Sequence, residues 1–183
     1  SSLRVGPAPG DGSWWAIDDA GVVTRACYFD DDYVFNPDGT FSNVLGDETW
    51  LEPWQGGAEA CGAPVSPHDG TADATWSYDE DAGTLVIDGF GAYIGLPKAV
   101  NEGELPGVSV PTSITYNATF ADAGNATVSI EAGPGIWWTY ELIKTVDAGP
   151  EPGASTLPGT WRVALEEGSL GVGPAPGDGS WWA

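Results

Sequence analysis

Two groups of acidic residues are the best candidates in this sequence to bind a metal ion. Asp30, Asp31 and Asp32 lie between two predicted strands, and Asp47 and Glu48 follow the next strand. A hairpin would bring both groups close together, and clustered carboxylates offer the oxygen ligands that Ca²⁺ prefers. No EF-hand spacing is present. The pattern predicts a Ca²⁺ site, with a solvated acidic turn as the alternative.

Catalytic chemistry has little support in the sequence. His68 is the only histidine, and no Gly-x-Ser-x-Gly elbow accompanies it. Pairs of carboxylates suited to glycoside hydrolysis can be chosen in many ways, because acids occur throughout the chain. A histidine in a Pro/Gly loop is typical of a structural role. We therefore expect a protein that is not an enzyme.

Tryptophan is abundant, with ten residues in 183. Trp50, Trp54 and Trp138 are candidates to stack on the faces of sugar rings. Trp14 and Trp15 form an adjacent pair, and adjacent strand residues point to opposite faces. One member of the pair is therefore expected on the surface, where large apolar groups mark contact sites. The alternative is that the tryptophans build the core.

Cys27 and Cys61 are the only cysteines, and no Cys/His cluster of the zinc-binding type accompanies them. An isolated pair in such a chain predicts a disulfide and hence an oxidising compartment. Two buried free thiols are the alternative. We expect an extracellular or cell-surface protein.

The charge of the chain limits its partners. Twenty-seven acidic residues against five basic ones give a formal net charge of −22. Nucleic acids and anionic membranes both attract basic surfaces, so neither is an expected partner. No apolar run reaches the length of a membrane span. An acidic surface suits a secreted protein in salt, where ions screen self-repulsion.

The elements that position these residues are predicted to be strands. Glycine and proline interrupt every stretch, while apolar residues alternate with a period of two. Pro-Asp-Gly within residues 36–39 marks a hairpin turn. The prediction is an all-β fold, an antiparallel barrel or sandwich of about eight strands with little helix. The main predicted strands cover residues 24–29, 32–35, 40–45, 74–78, 84–88, 92–96, 113–120, 126–130, 136–146 and 159–164.

One segment of the sequence occurs twice. Residues 5–16 return letter for letter as residues 172–183, an offset of 167 positions. Such self-similarity predicts a tandem array, and both ends of the chain read as cuts within it. The predicted organisation is a β-domain at 1–146 that lacks its own first strand, a Pro/Gly linker at 147–158, and the start of the next repeat at 159–183.

The start of the last strand resembles a known family. Gly159, Thr160 and Trp161 are similar to the Gly-x-Trp start of lipocalin-like barrels. The resemblance implies that the tryptophan closes the base of a barrel and that an arginine near the last strand packs over it. Lys144, rather than an arginine, stands at that place. Such barrels hold one small ligand or are filled by side chains.

A wider resemblance covers most of the chain. Residues 29–35, 44–50, 61–70 and 89–96 are similar to an accessory module of secreted marine bacterial proteins, found beside glycoside hydrolase domains and in large surface proteins. The resemblance implies a non-catalytic, extracellular and sometimes repeated domain.

These observations together predict a structural repeat module of an extracellular filament or giant adhesin. Its partners are copies of itself, joined head to tail, with strand 159–164 completing the neighbouring module. The alternatives are a carbohydrate-binding module for a polysaccharide and a lipocalin-like carrier. The residues expected at the contact between modules are Trp14, Trp15, Gly159, Thr160, Trp161, Val163, Trp181 and Trp182.

Overall fold

The chain forms mainly antiparallel strands in a computed structural model that describes residues 1–101, 103, 105–122, 124–147 and 157–164. Two short 3₁₀ helices, Pro53–Gln55 and Pro97–Ala99, lie in connections. In chain order, the other elements are β1 (Leu3–Gly6), β2 (Trp15–Ala16), α1 (Asp19–Thr24), α2 (Ala26–Phe29), β3 (Asp32–Phe35), β4 (Thr40–Val44), β5 (Thr49–Leu51), β6 (Ala60–Gly62), β7 (Ala74–Asp79), β8 (Thr84–Asp88), β9 (Ser113–Asp122), β10 (Asn125–Gly133), β11 (Ile136–Asp147) and β12 (Gly159–Val163).

Eight of these strands close into a barrel. The order around it is β3, β4, β7, β8, β9, β10, β11 and β12, and β12 pairs with β3 to complete the circle. All of these pairings are antiparallel. The predicted all-β antiparallel fold of about eight strands is confirmed, and of the two predicted forms it is the barrel.

The hairpin turn predicted at residues 36–39 joins β3 to β4. Asn36 N–H donates to Thr40 O at 2.9 Å, and Gly39 N–H donates to Asn36 O at 3.0 Å. Gly39 has a φ of 87°, a conformation that residues with a Cβ rarely adopt. The Pro-Asp-Gly pattern thus fixed the register that places Phe35 opposite Phe41 in the core.

The inside of the barrel is filled by residues 92–101, which we call the central segment. This stretch lies between β8 and β9 and packs against tyrosines of β3, β9 and β11 that are fully buried. A barrel of eight strands is just wide enough to be filled by side chains or to hold one ligand. Here the chain itself takes that space. The buried residues of the central segment are Ala92, Tyr93, Ile94, Gly95, Leu96, Pro97, Ala99 and Asn101.

The central segment is not a strand, so its backbone N–H groups have no neighbouring strand to donate to. Tyrosine hydroxyls accept these hydrogen bonds instead. Buried backbone groups need partners, and a segment outside the ladder must find them among side chains. Gly95, with a φ of 81°, lies against the ring of Tyr140, and a Cβ there would approach the ring to 2.1 Å. The bonds are Ile94 N–H to Tyr116 Oη at 2.9 Å, Gly95 N–H to Tyr33 Oη at 3.0 Å, Leu96 N–H to Tyr140 Oη at 3.3 Å and Asn43 Nδ2 to Tyr93 O at 2.8 Å.

Two predicted strands are wrong. Residues 24–29 form the end of α1 and all of α2, and Cys27, Tyr28 and Phe29 are buried one after another. In a strand with one buried face, successive side chains would alternate between buried and exposed. The Asp18 side chain accepts from Gly21 N–H at 2.7 Å and caps α1. Residues 92–96 are buried without alternation and form no strand. They belong to the central segment, whose backbone N–H groups donate to tyrosine side chains.

Candidate functional site

The last strand, β12, is inserted between β3 and β11. Gly159 lies opposite Phe35 and Trp161 opposite Tyr33, while Val163 pairs with Leu142 on the other side. Gly159, Trp161 and Val163 face the core, and Thr160 and Arg162 are half-buried on the outer face. A strand bound on both edges cannot leave without exposing two unpaired edges, which are aggregation hazards.

Trp161 anchors β12 in the barrel. Its side chain is 0% exposed, its Nε1–H donates to Leu157 O at 2.8 Å, and its ring meets that of Phe120 at a centroid distance of 5.7 Å. The Lys144 Nζ lies 5.6 Å from the Trp161 ring centroid. A lysine thus lies over the face of this tryptophan, where the Gly-x-Trp resemblance implied an arginine. On the outer face, Arg162 donates to Asp32 Oδ1 at 2.9 Å.

Strand β1 continues the line of β12 along the same edge of β11. Ala164 N–H donates to Glu141 O, and Glu141 N–H donates to Ser2 O, both at 2.8 Å. Leu3 then pairs with Tyr140 and is fully buried. The end of β12 and the beginning of β1, which come from opposite ends of the chain, thus meet at Glu141.

The repeated sequence 5–16 forms one wall of an aromatic pocket. Strand β2 folds back on β1, and the Trp15 ring lies 6.2 Å from that of Trp138 on β11. Trp14 is 57% exposed and Trp15 is 39% exposed. The pocket, of about 350 Å³, is lined by Val5, Trp14, Trp15, Arg25, Leu96, Lys98 and Trp138.

Two of the five basic residues of the chain lie in this pocket, and the sequence alone did not single them out. Arg25 lies 5.9 Å from the Trp15 ring centroid and 4.4 Å from that of Trp50. Lys98 lies 4.9 Å from the ring of Trp138 and forms an ion pair with a glutamate at 3.0 Å. A cation over an aromatic face is stabilising. Scarcity of basic residues was the one signal that could have pointed to them.

The three tryptophans proposed for sugar stacking are largely covered. Trp50 is buried beneath Arg25, and Trp138 is buried beneath Lys98. Trp54 is half-buried, with its ring edge-on to His68 at 6.0 Å. Of the tryptophans in the described part of the chain, Trp14 and Trp15 are the ones exposed to solvent. Trp181 and Trp182 lie outside the described residues.

The five carboxylates proposed for Ca²⁺ are not brought into one cluster. Asp32 is bound to Arg162, while Asp30, Asp47 and Glu48 are exposed. Asp31 is buried and accepts from Thr49 Oγ1 at 2.6 Å. Within the described residues, no group of three or more His, Cys, Asp or Glu side chains is placed to hold a metal ion.

Burial changes the acidity of two groups near the core. Desolvation raises the pKa of the Asp31 carboxyl to about 8, and the hydrogen bond from Thr49 opposes this only in part. Burial lowers the pKa of His68, whose Nδ1 faces Gly91 O at 3.2 Å. Its ring lies edge-on between Trp54 and Tyr93. The environment of His68 is that of a packed structural residue.

The predicted disulfide is confirmed. Cys27 on α2 and Cys61 on β6 are bonded and lie 34 residues apart. The bond ties the helical pair and the small β5–β6 sheet to each other beside the barrel.

No helix among the described residues is long and apolar enough to cross a membrane. No protein-family model, no curated protein and no solved structure matches the chain.

Proposed function

We propose that this chain is a non-catalytic structural repeat module of an extracellular filament or giant adhesin. Modules are joined head to tail, and the strand at 159–164 of one module completes the barrel of the next. The partner is thus a further copy of the same module. The disulfide between Cys27 and Cys61 suits the oxidising conditions outside the cell.

The observation that carries this proposal is the way β12 is held. It is an integral barrel strand with a buried tryptophan, yet it follows an eleven-residue connection, 148–158. Eleven residues span at most about 40 Å when extended. A strand on such a connection can fill the slot of its own barrel or the equivalent slot of a neighbour, which is the basis of domain swapping. The same contacts to β3 and β11 serve in both cases.

Disulfide trapping across β12 and β3 tests this proposal. Val34 and Thr160 lie directly opposite each other, and facing residues of paired strands have Cβ atoms about 5 Å apart. With Val34→Cys and Thr160→Cys in one chain, strand donation between chains predicts a ladder of multiples of 19 kDa on a non-reducing gel. The ladder should collapse to one band on reduction.

A matched pair gives the control. Val34→Cys with Ser42→Cys bridges β3 and β4, which a hairpin keeps in one chain, so this variant should run as a single band. If the test pair also gives only a single band at concentrations where the protein assembles, donation of β12 is refuted.

A carbohydrate-binding role is the second candidate, and the aromatic pocket favours it. Trp14 and Trp15 are exposed, and the Trp15 ring lies beside that of Trp138. Arg25 and Lys98 are paired with glutamates, which makes the pocket close to neutral and suits an uncharged sugar. Calorimetry with neutral and acidic oligosaccharides should then detect binding to the wild type that Trp14→Ala removes. Phe90→Ala, which alters an equally exposed aromatic residue elsewhere, should leave binding unchanged. Absence of binding to every sugar tested would count against this role.

A further inference from the structure

The repeated segment is longer than its identical core. Residues 2–16, which we call the closing segment, and residues 169–183, which we call the tail copy, differ at a single position, where Arg4 corresponds to Gly171. The closing segment contains β1 and β2 and covers the edge of β11. The chain therefore carries two copies of a segment for which each barrel has one place.

Apart from the contacts of Arg4, those that hold the closing segment come from residues that both copies share. Leu3 is fully buried opposite Tyr140, Gly10 N–H donates to Thr139 Oγ1 at 2.9 Å, and Trp15 packs on Trp138. Gly6 leaves no room for a Cβ, which would approach Asp11 to 2.5 Å. Each of these four residues of the closing segment has an identical counterpart in the tail copy. The tail copy therefore has the side chains that this place requires.

The tail copy also has a direct route to this place. Strands β12 and β1 run in the same direction, because both are antiparallel to β11, and they meet at Glu141. Ala164 lies at that meeting point, and only four residues, 165–168, separate it from the start of the tail copy. Strands β12 and β1 follow each other along β11, and β2 pairs with β1. Residues 159–183 carry the β12 sequence and then the copies of the β1 and β2 sequences in that same order.

We propose that the tail copy occupies the place of the closing segment in the barrel of its own chain, so that the two copies compete for one site. This inference goes beyond the proposed function, since it concerns a chain whose β12 fills its own barrel, as in the structure, and not one that donates β12 to a neighbour. The occupant is residues 169–183 of the same chain, because β12 delivers them to the edge of β11. Entry from a second chain is the competing outcome that the experiment separates.

Arg4 decides which copy prevails. Its guanidinium donates to Gly10 O at 2.8 Å and to Ser1 O at 2.7 Å, and it forms an ion pair with Glu141. Gly171 can make none of these contacts. The closing segment is therefore the major occupant, and the tail copy takes over when the closing segment is weakened.

Paired leucine variants of the full chain test this competition. Leu3→Ala removes a buried anchor of the closing segment, and Leu170→Ala alters the tail copy at the equivalent position. We expect Leu170→Ala alone to leave Tm unchanged, and Leu3→Ala alone to lower it by a few degrees. The double variant should lower Tm by on the order of 10 °C, well beyond the sum, because no intact copy remains.

A control and a mass measurement complete the design. Leu85 is a fully buried leucine of β8 away from this edge, so Leu85→Ala should melt at the same temperature with or without Leu170→Ala. Light scattering should find the same molar mass for Leu3→Ala as for the wild type at the concentration of the melts. Equal Tm values for Leu3→Ala and the Leu3→Ala/Leu170→Ala variant would overturn the competition, and a larger species for Leu3→Ala than for the wild type would overturn occupation within one chain.

A gentler variant covers the case in which Leu3→Ala fails to fold. Arg4→Gly makes the two copies identical over fifteen residues without touching the core. Hydrogen exchange should then show lower amide protection in residues 3–6 and higher protection in residues 170–173 than in the wild type. A loss in the first without a gain in the second contradicts the proposal.

Discussion

Asp31 should make the stability of this protein fall as the pH rises from 4 to 8. The carboxyl lies between α2 and β3, is 1% exposed, and has one oxygen, Oδ1, without a hydrogen-bond partner. Its other oxygen accepts from Thr49 Oγ1 at 2.6 Å. Burial opposes ionisation, so the pKa rises from 3.8 to about 8 in the folded state.

The sign and size of the effect follow from linkage. Below pH 3.8 the carboxyl is neutral in both states, and its stabilising contribution is fully present. As the pH rises, the unfolded chain releases the proton first, while the folded state keeps it up to about pH 8. Stability therefore falls by up to about 1.4 kcal/mol per pH unit. Over the four-unit window the ceiling is about 6 kcal/mol, and relaxation around the charge reduces it.

The variant Asp31→Asn removes the titration and keeps the shape of the side chain. We expect the free energy of unfolding of the variant, relative to that of the wild type, to rise with pH. Urea melts at pH 4.5, 6 and 8 at constant ionic strength should show this relative gain as about 1 kcal/mol at pH 4.5 and several kcal/mol at pH 8. Asp30→Asn alters the exposed neighbour and should shift stability by less than about 0.5 kcal/mol at each pH. A difference between Asp31→Asn and wild type that stays constant with pH would refute the reasoning.

Three further perturbations have definite expected outcomes. Lowering the pH below 6.5 should destabilise the fold through His68, because burial lowers its pKa and the unfolded chain takes up the proton first. In urea melts between pH 7 and 5, His68→Gln should lose less stability than the wild type. Tyr116→Phe deprives a backbone N–H of the central segment of its partner and should cost about 1–3 kcal/mol in the urea midpoint, whereas Tyr78→Phe, on the half-buried face of β7, should cost less than about 0.5 kcal/mol. Replacing Cys27 and Cys61 by serine opens a loop of 34 residues and should lower stability by about 4 kcal/mol, and a variant as stable as the wild type would contradict this entropic account.

Much of the barrel is readable from the sequence because its strands obey a local rule. The burial pattern of β12 and the turn at Gly39 follow from alternation and from the φ that glycine permits. The central segment breaks the rule. Its residues 92–96 are as apolar as those of a buried strand. Their conformation depends on three tyrosine hydroxyls from strands distant in sequence, which no local pattern encodes.

Features of the candidate site could be predicted from the sequence only where a residue type or segment is rare in the chain. Two isolated cysteines in one chain pair with each other, and the repeated segment does form a contact along β11. Acids and tryptophans are too numerous for such an inference. Asp31 became a buried neutral group and Trp50 a covered one because their environments were set by elements far away in sequence.

The tyrosines around the central segment give the barrel an optical property of its own. Full burial raises the pKa of Tyr28, Tyr33, Tyr93 and Tyr116. The pKa of Tyr78 is also raised, but its side chain is only half-buried. In an alkaline titration, tyrosinate absorbance should therefore appear first from Tyr78 and then rise in one cooperative step when the barrel opens. The ultraviolet spectrum of the unlabelled protein thus reports whether the strands are closed around their contents.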